Sequence, residues 1–286
     1  MSKTAPLWYW INERHAIYLK REMGSKWPWT SDEVLQNFRF CNVFRELDTV
    51  TIWIRKNWRD KYAGHKNLWF AMCVARQINH IPTLKRLGFP IASLNHYLVH
   101  ARSVLSSMHA SGDKIYGAAY IITAGGVSGP KYLYTIDHVL APLAANAPSF
   151  TKRKKVSSLE SMWNEILTYK GFGPFISYEV VTDLRWTRYY NGDDHMTWGN
   201  PGPGALRGLA RIYNGDVNNK PSRSDAITMM QSLLRKSRKP RVLHDYVPEL
   251  EMRDIEHSLC ETDKYLRAKT GEGRPKCKYF PPGEES

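Results

Sequence analysis

Apolar residues recur at three- to four-residue spacing along most of the chain, and this periodicity limits the possible folds more than any other feature. In the first segment, Trp10, Ile11, Ile17 and Tyr18 repeat at the spacing of one helical face. The same pattern predicts helices over 7–23, 30–58, 67–81, 93–110, 132–146, 157–169, 174–186, 205–213, 222–236 and 251–268. Residues 118–124 have some β character, but a lone strand has no partner, so we interpret them as helix or buried coil. The expected fold class is all-α.

Composition suggests where the chain divides. The basic run KRKK at 152–155 follows Pro148 and is either a solvated linker or a phosphate contact. Beyond Gly271 the sequence is rich in Gly, Pro and charge, which is typical of a poorly ordered tail. We therefore expect an N-terminal helical lobe at 1–150, a second helical lobe at 151–270 and a basic tail at 271–286, with the two lobes around a cleft.

The net charge of +14 indicates a polyanionic partner, and nucleic acid is the commonest one, although a basic housekeeping enzyme is the alternative. Cys41, Cys73, Cys260 and Cys277 are far apart and form no metal-ligand motif, so we interpret them as reduced thiols and assign no metal. No segment has the length and apolar character of a membrane span or signal peptide. These features predict a cytoplasmic protein that binds double-stranded DNA.

A tight turn between two predicted helices is the most informative local motif. Gly171-Phe172-Gly173 follows one apolar helix, and Pro174 begins the next, where its missing N–H costs nothing. Such a helix-hairpin-helix can hold a DNA phosphate on backbone N–H groups without reading sequence, and Lys170 adds charge beside it. Asp193 and Asp194 follow Gly171 by 22 and 23 residues. This spacing resembles that of helix-hairpin-helix DNA glycosylases, which implies an aspartate at the mouth of an active site.

The resemblance to glycosylases is incomplete. Phe175 stands where bifunctional glycosylases have a Schiff-base lysine, so lyase chemistry is not expected. Trp198 and a Gly/Pro-rich loop then lead into another helix. The N–H groups around Gly202 and Gly204 are placed to bind an anion, and Arg207 in the first turn of the helix can hold a phosphate with two N–H groups. The alternative is a rigid turn that packs under the core.

Three blocks of the chain together resemble the α-glutamyl/putrescinyl thymine pyrophosphorylases, or amino acid:DNA transferases, which share a helical domain with phage 5-hydroxymethyluracil DNA kinases. The blocks are PWT at 28–30 with FRFCNVFRELD at 38–48, GFGPF at 171–175 through DLR, Asp194, Thr197-Trp198 and GPGALRGL, and HSLCETDKY at 257–265 with Arg267 and the 271–274 turn. The resemblance implies an all-α, glycosylase-like enzyme that acts on polymeric DNA.

The implied reaction replaces the pyrophosphate of 5-pyrophosphoryloxymethyl-deoxyuridine in DNA with the amine of a free amino acid or polyamine. Base flipping would require aromatic walls, which ten Trp and sixteen Tyr can provide. The leaving pyrophosphate needs positive charge and N–H donors, and a carboxylate would help deprotonate the amine. Asp194 is the first choice for that carboxylate, Asp193 is its rival, and Asp183 either joins them or pairs with an arginine. The amine donor and any need for a divalent metal stay open.

Arg39, Asn42, Arg45 and Glu46 would share one face of the helix predicted over 30–58. Such a polar stripe suits a buried phosphate or base site, and its alternative is an internal ion-pair network with Asp48. Asp263 and Lys264 either reach the substrate or DNA, or serve packing.

Two other functions compete with the transferase. The chain has no Walker motif, because Gly125–Lys131 lacks the Gly-Lys-Ser/Thr ending, so the kinase reaction itself is not expected. A monofunctional glycosylase acting on a modified pyrimidine would release a free base. A non-catalytic DNA-binding module would bind duplex in a salt-dependent way and need no carboxylate facing the DNA.

Overall fold

A computed structural model describes residues 3–118, 128–152, 155–273, 275 and 278–280. Thirteen α-helices are found within these residues, together with two π-helical turns at Arg55–Arg59 and Thr135–Leu140. The helices are α1 Ala5–Glu22, α2 Glu33–Asn37, α3 Thr49–Ile54, α4 Leu68–Ile78, α5 Ile81–Leu87, α6 Leu94–Ala110, α7 Lys131–Tyr134, α8 Ala141–Ala145, α9 Leu159–Leu167, α10 Pro174–Leu184, α11 Pro203–Asn214, α12 Arg223–Ser237 and α13 Met252–Lys269. The only β pairing in the described residues is two isolated bridges, so the all-α fold class is confirmed. Residues 119–127, which include most of the β-like segment, lie outside the described part.

Side-chain caps fix where several helices begin. Asp32, Ser93, Ser158 and Ser222 each accept a hydrogen bond from a backbone N–H in the first turn of the helix that follows. In contrast, α10 and α11 begin with a Gly-Pro pair, where proline has the φ that a helix requires and lacks the N–H that would lose its partner. A capping box between Glu251 and Asp254 starts α13. Local sequence thus accounts for most helix starts.

The prediction of one long helix over 30–58 is wrong. The chain there forms α2, an extended segment, a 3₁₀ turn at Arg45–Leu47 and then α3 with its π-helical turn. Side chains from distant elements hold the extended segment, because Arg14 donates to the Phe40 carbonyl (3.4 Å) and Glu261 accepts from the Cys41 N–H (3.0 Å). Arg39, Asn42, Arg45 and Glu46 therefore do not share one helix face.

Contacts between Cα atoms divide the chain into two compact units. The first unit contains Met1–Asp48 and His195–Ser286, and the second unit contains Thr49–Asp194. The boundary predicted at 150 falls inside the second unit, because the first unit is built from both ends of the chain. Part of the predicted tail lies outside the described residues, but Lys278 pairs with Phe38 in a β-bridge and the Tyr279 N–H donates to the Asn37 carbonyl (2.9 Å).

The core of the first unit is built where α11 crosses α13. A Cβ on Gly204 would lie 2.3 Å from Cys260 Sγ, and a Cβ on Gly208 would lie 2.3 Å from the Leu259 carbonyl oxygen. The two glycines are four residues apart and face α13, so the helix axes approach closely. The apolar side chains of α1, α11, α12 and α13 then form one buried cluster.

The second unit is organised around α4, whose eleven residues are all buried. Helix α10 packs against α4 and α9. Burial on all sides agrees with the largely apolar sequence of α4, but it also encloses Arg76, so this guanidinium requires buried acceptors. No helix in the described residues is long and apolar enough to cross a lipid bilayer.

Candidate functional site

The turn predicted to bind DNA lies between α9 and α10 in the second unit. Gly171 has a φ of +83°, and a Cβ there would lie 2.4 Å from Val139 Cγ2, so glycine is required on both grounds. Gln77 Nε2 donates to the Gly171 carbonyl (2.8 Å) and fixes the turn. The helix pair and the tight turn are therefore present, and the link to glycosylases stays a prediction.

The tip of this helix pair is exposed. Lys170, Gly171 and Gly173 are all on the surface, and the side chain of Phe175 is 49% exposed. Lys170 Nζ lies 5.5 Å from the centre of the Tyr134 ring, so its charge stays close to the turn. The positive end of the α10 dipole points the same way as the first-turn N–H groups. The tip thus presents positive charge and backbone N–H groups, which can contact a phosphate without reading base identity.

Asp194, the first choice for a catalytic carboxylate, joins two elements of the second unit. Its Oδ2 accepts from the Leu159 N–H (2.8 Å) at the start of α9, and its Oδ1 accepts from the Tyr190 hydroxyl (2.6 Å). The side chain is half-buried, whereas Asp193 is exposed. Asp194 therefore holds the start of the helix that leads to the exposed turn, a role that fits a positioning carboxylate.

Asp183 has the arginine partner that the sequence analysis gave as its alternative role. Arg76 donates to it twice, from Nε to Oδ2 (2.6 Å) and from Nη2 to Oδ1 (2.8 Å). Arg59 Nη1 lies 3.8 Å from Oδ1, and Glu179 lies 3.6 Å from Arg76 Nη1. Asp183 and Arg76 are each 1% exposed, so this pair is closed to solvent and its geometry supports a structural role.

Asn42 and Arg45 meet in the first unit at Asp48. The Asp48 carboxylate accepts from the Asn42 backbone N–H (3.0 Å), from the Asn42 side chain (3.2 Å) and from Arg45. Arg14 Nη2 donates to Asn42 Oδ1 (2.7 Å), while Arg14 Nη1 is buried without a hydrogen-bond partner. Arg39 is exposed and stands apart from these contacts. The internal network with Asp48, which was the alternative to a phosphate or base site, is thus present. Within it, Nη1 of Arg14 is buried without a hydrogen-bond partner.

Helix α13 closes the other side of this polar group. Glu261 accepts from the Cys41 N–H and from Lys264 Nζ (3.1 Å), and Lys264 Nζ lies 4.6 Å from the centre of the Phe40 ring. Lys264, predicted to contact DNA, is therefore half-buried and paired. Burial raises the pKa of the Cys41 thiol, and Glu261 and Asp48 raise it further, so Cys41 is a neutral thiol. The first and third blocks of the sequence resemblance meet here.

Only one group of residues in the described chain has metal-ligand spacing. Cys41, Asp48 and His257 each offer a ligand atom, and these atoms lie within 4.8 Å of one another. Arg45 already contacts Asp48 and lies 3.8 Å from Cys41 Sγ, so a cation would have to compete with a guanidinium. The thiol would also have to lose a proton that its surroundings retain. The donor set therefore fits a metal ion poorly.

The predicted anion cradle at the start of α11 already contacts a carboxylate. The Gly202 N–H donates to Glu256 Oε1 (3.1 Å), and the Trp198 side chain is buried. Gly204 is needed for the approach of α13, as described above, rather than for an open loop. The N-terminus of α11 thus serves internal packing at these positions, whereas Arg207, one turn further, reaches a different partner.

That partner is Asp263, a centre that the sequence analysis did not resolve. Its buried carboxylate contacts Arg207, Arg211 and Arg267. The signal was in the sequence, because Arg207 and Arg211 are four residues apart on one helix and Asp263 and Arg267 are four apart on another. Linking the two pairs required knowing that α11 crosses α13.

An aromatic-lined cavity lies elsewhere in the first unit, where the C-terminal segment pairs with the end of α2. Its volume is about 450 Å³, and its lining residues are Trp27, Gln36, Asn37, Phe38, Lys278, Tyr279 and Phe280. Trp29 packs edge-on against Tyr279, with ring centres 6.0 Å apart. Flat aromatic walls and one ammonium group are features that suit a planar anionic ligand.

Comparison with known proteins gives one family and one curated relative. A family model described as "5-hmdU DNA kinase, helical domain" matches residues 2–274. A protein of Bacillus phage SP10 named "5-hmdU DNA kinase" is 27% identical over 290 residues, which span 91% of this chain and 45% of that protein. The chain thus spans about half the length of this relative. No solved structure matches.

Proposed function

The chain belongs to the family of the helical domain of 5-hmdU DNA kinases. We propose that it acts on modified thymine in DNA and that its reaction is a transfer to an amine. In the proposed reaction, the nitrogen of a free amino acid or polyamine attacks the methylene carbon of 5-pyrophosphoryloxymethyl-deoxyuridine. The bond between that carbon and the ester oxygen of the pyrophosphate breaks, and pyrophosphate leaves with the electron pair. The nitrogen then loses a proton. The family match over nearly the whole chain carries the assignment to modified thymine in DNA, and the choice of a transferase reaction rests on the resemblance of the three sequence blocks.

Two features of the structure support a DNA substrate. The second unit has eighteen Lys and Arg residues against nine Asp and Glu residues, so it contributes +9 of the net charge of +14. The exposed turn at Gly171–Gly173 also presents the N-terminus of an 11-residue helix with Lys170 beside it. Sequence-independent phosphate contacts of this kind position DNA without selecting a base. Selection of the modified thymine would then fall to another part of the chain.

Two features of the first unit support chemistry at a phosphorylated base. Buried or half-buried arginines lie at Asp48 and at Asp263, where they can stabilise the charge of a leaving phosphate group. The aromatic cavity is large enough for a single nucleobase, as an extruded base requires. Within this proposal Asp194 positions the DNA-binding turn, the exposed Asp193 takes no part in catalysis, and Asp183 holds the fold through Arg76.

The test is an analysis of the nucleosides in modified DNA. DNA containing 5-hydroxymethyluracil, either free or as its pyrophosphate ester, is incubated with the chain and a mixture of amino acids and polyamines, with and without ATP. The DNA is then digested, and its nucleosides are identified by mass spectrometry. A nucleoside with the mass of thymidine joined to one amine, formed only from the pyrophosphate ester, is the expected result. A phosphorylated nucleoside formed only with ATP, or abasic sites, would overturn the proposal in favour of a kinase or a glycosylase.

A matched pair of variants sharpens this test. Asp194→Asn keeps a side chain that caps helices well but removes the charge, whereas Asp193→Asn makes the same change at an exposed neighbour. We expect Asp194→Asn to lower the rate while Asp193→Asn leaves it unchanged. Equal rates for both variants would remove Asp194 from the account.

The second candidate function is a DNA-binding module without catalysis, because the exposed turn binds phosphate without needing a reactive group. The matched region covers 45% of the phage relative, so most of that kinase lies outside the part resembling this chain. Under this alternative all nucleosides stay unchanged, while duplex affinity falls steeply with salt.

A further inference from the structure

The three arginines at Asp263 are arranged so that one of them holds a second anion. Arg207 and Arg211 donate from Nε to the Asp263 carboxylate, at 3.3 and 2.9 Å, and Arg267 Nε lies 3.2 Å from it as an ion pair without a hydrogen bond. Nε is the guanidinium nitrogen nearest the side-chain stem, so contact through it turns the terminal Nη pair of Arg211 toward another acceptor. Asp263 is 2% exposed and is therefore a fixed internal counter-ion.

Glu272 is that second anion. Its Oε1 accepts from Arg211 Nη1 (2.9 Å), and its Oε2 accepts from Arg211 Nη2 (2.7 Å). The Thr270 hydroxyl donates to the same Oε1 (2.9 Å). This two-pronged contact is the geometry in which a guanidinium also holds two oxygens of a phosphate. Hydrogen bonds from Arg211 and Thr270 lower the pKa of Glu272 to about 2, so it is ionised at neutral pH.

The charges favour a stronger anion than one carboxylate. Three guanidinium groups face one buried carboxylate, which leaves two positive charges before Glu272 is counted and one afterwards. Arg207 and Arg267 are 34% and 39% exposed, so an incoming anion can reach them. Glu272 itself is exposed and follows Gly271, whose φ is +76°. An exposed ion pair of this kind contributes little stability, so a more highly charged ligand can displace it.

We propose that Arg207, Arg211 and Arg267 form a binding site for a pyrophosphate group and that Glu272 is its internal occupant, displaced when the ligand binds. The contacts of the three arginines with Asp263 and Glu272 define the site. Only the choice of pyrophosphate, rather than a phosphate of the DNA backbone, rests on the proposed function. Glu272 then limits binding of weakly charged anions, because each ligand must compete with it.

The test measures binding of inorganic pyrophosphate to the full chain by titration calorimetry. Arg211→Gln should weaken binding by about tenfold or more, because it removes the fork. Glu272→Gln should tighten binding by about three- to tenfold, because it removes the competitor. Arg235→Gln changes the same charge at an exposed position on α12 and should have no effect. Thermal unfolding of each variant checks that it is folded.

The Glu272→Gln result decides the proposal even if Arg211→Gln fails to fold. Unchanged or weaker pyrophosphate binding in Glu272→Gln would show that the pair is structural only and would overturn the proposal. A parallel titration with unmodified duplex separates the two sources of phosphate. If Arg211→Gln weakens duplex binding and pyrophosphate does not bind the wild type, the assignment to pyrophosphate is wrong. Pyrophosphate binding with these effects, in a chain that transfers no amine, would support the site and contradict only the proposed function.

Discussion

The two units place their arginines in contrasting surroundings. In the second unit Arg76 is enclosed with Asp183 and Glu179, and every strong contact is between buried groups. In the first unit Arg211 meets a buried carboxylate on one edge and an exposed one on the other. Both arrangements satisfy a guanidinium, but only the second has an edge that a ligand can reach. Full burial therefore distinguishes an arginine that stabilises the fold, such as Arg76, from one that a ligand can contact, such as Arg211.

The distribution of charge follows the same division. The second unit has the larger net charge, +9, and carries it mostly on exposed lysines and arginines, which suits a repeating phosphate backbone. The first unit has a net charge of +5 and holds several of its arginines in pairs with fixed carboxylates. Paired arginines are preorganised, which suits one ligand of defined shape. The following variants test this comparison, beginning with the largest expected effect.

Breaking the enclosed pair should cost the most stability. Asp183→Asn leaves Arg76 buried beside an uncharged partner, and we expect the free energy of unfolding to fall by about 3–5 kcal/mol. The measurement is urea unfolding followed by circular dichroism. Asp193→Asn, at an exposed position, should stay within about 0.5 kcal/mol of wild type. Similar losses for the two variants would mean that the enclosed network does not stabilise the second unit.

The helix crossing in the first unit should tolerate a methyl group poorly. Gly208→Ala places a Cβ 2.3 Å from the Leu259 carbonyl oxygen, which belongs to the backbone of α13 and cannot rotate away. We expect unfolding free energy to fall by about 1–3 kcal/mol. Gly64→Ala meets nothing within 4 Å and should be close to neutral. A neutral Gly208→Ala would show that α11 and α13 are less closely packed than described.

Removing charge at the exposed turn should weaken DNA binding without changing base preference. Lys170→Gln removes a side chain beside Gly171, and we expect duplex affinity to fall while the slope of log affinity against log salt decreases by about 1. Fluorescence anisotropy at several salt concentrations measures both. Lys85→Gln, an exposed lysine in α5 of the same unit, is the control. If the two variants behave alike, the turn is not a preferred phosphate contact.

The smallest expected effect is a pH dependence in the first unit. His15 is buried against Tyr18, Phe44 and Tyr246, and burial lowers its pKa, with Arg14 lowering it further. The unfolded chain therefore binds this proton more readily, so the stabilising contribution of neutral His15 is lost as pH falls below its usual pKa. His15→Phe should lose less stability than wild type between about pH 7.5 and 5.5 in urea unfolding. An equal loss in both proteins would exclude His15 as the source.

Periodicity predicted most of the helices because many of them bury one face, and the Gly171 turn was visible because glycine there has a specific conformation. The segment from Phe38 to Phe44 was wrongly expected to be helical, since contacts to Arg14 and Glu261, far away in sequence, override local preference. The two units could not be inferred from composition, because one of them joins both ends of the chain. Asp263 was expected either to reach the substrate or DNA or to serve packing, and its three arginine partners could not be predicted because they converge only where α11 and α13 cross.

The most direct test of the central claim identifies which bond breaks. The substrate is DNA carrying 5-pyrophosphoryloxymethyl-deoxyuridine with ¹⁸O between the methylene carbon and the first phosphorus. It is incubated with the chain and a ¹⁵N-labelled amine. We expect ¹⁸O in the released pyrophosphate and ¹⁵N in the nucleoside, because the amine replaces the oxygen on the methylene carbon. Retention of ¹⁸O in a hydroxymethyl nucleoside, with no ¹⁵N incorporated, would show cleavage between phosphorus and oxygen and would contradict the transferase.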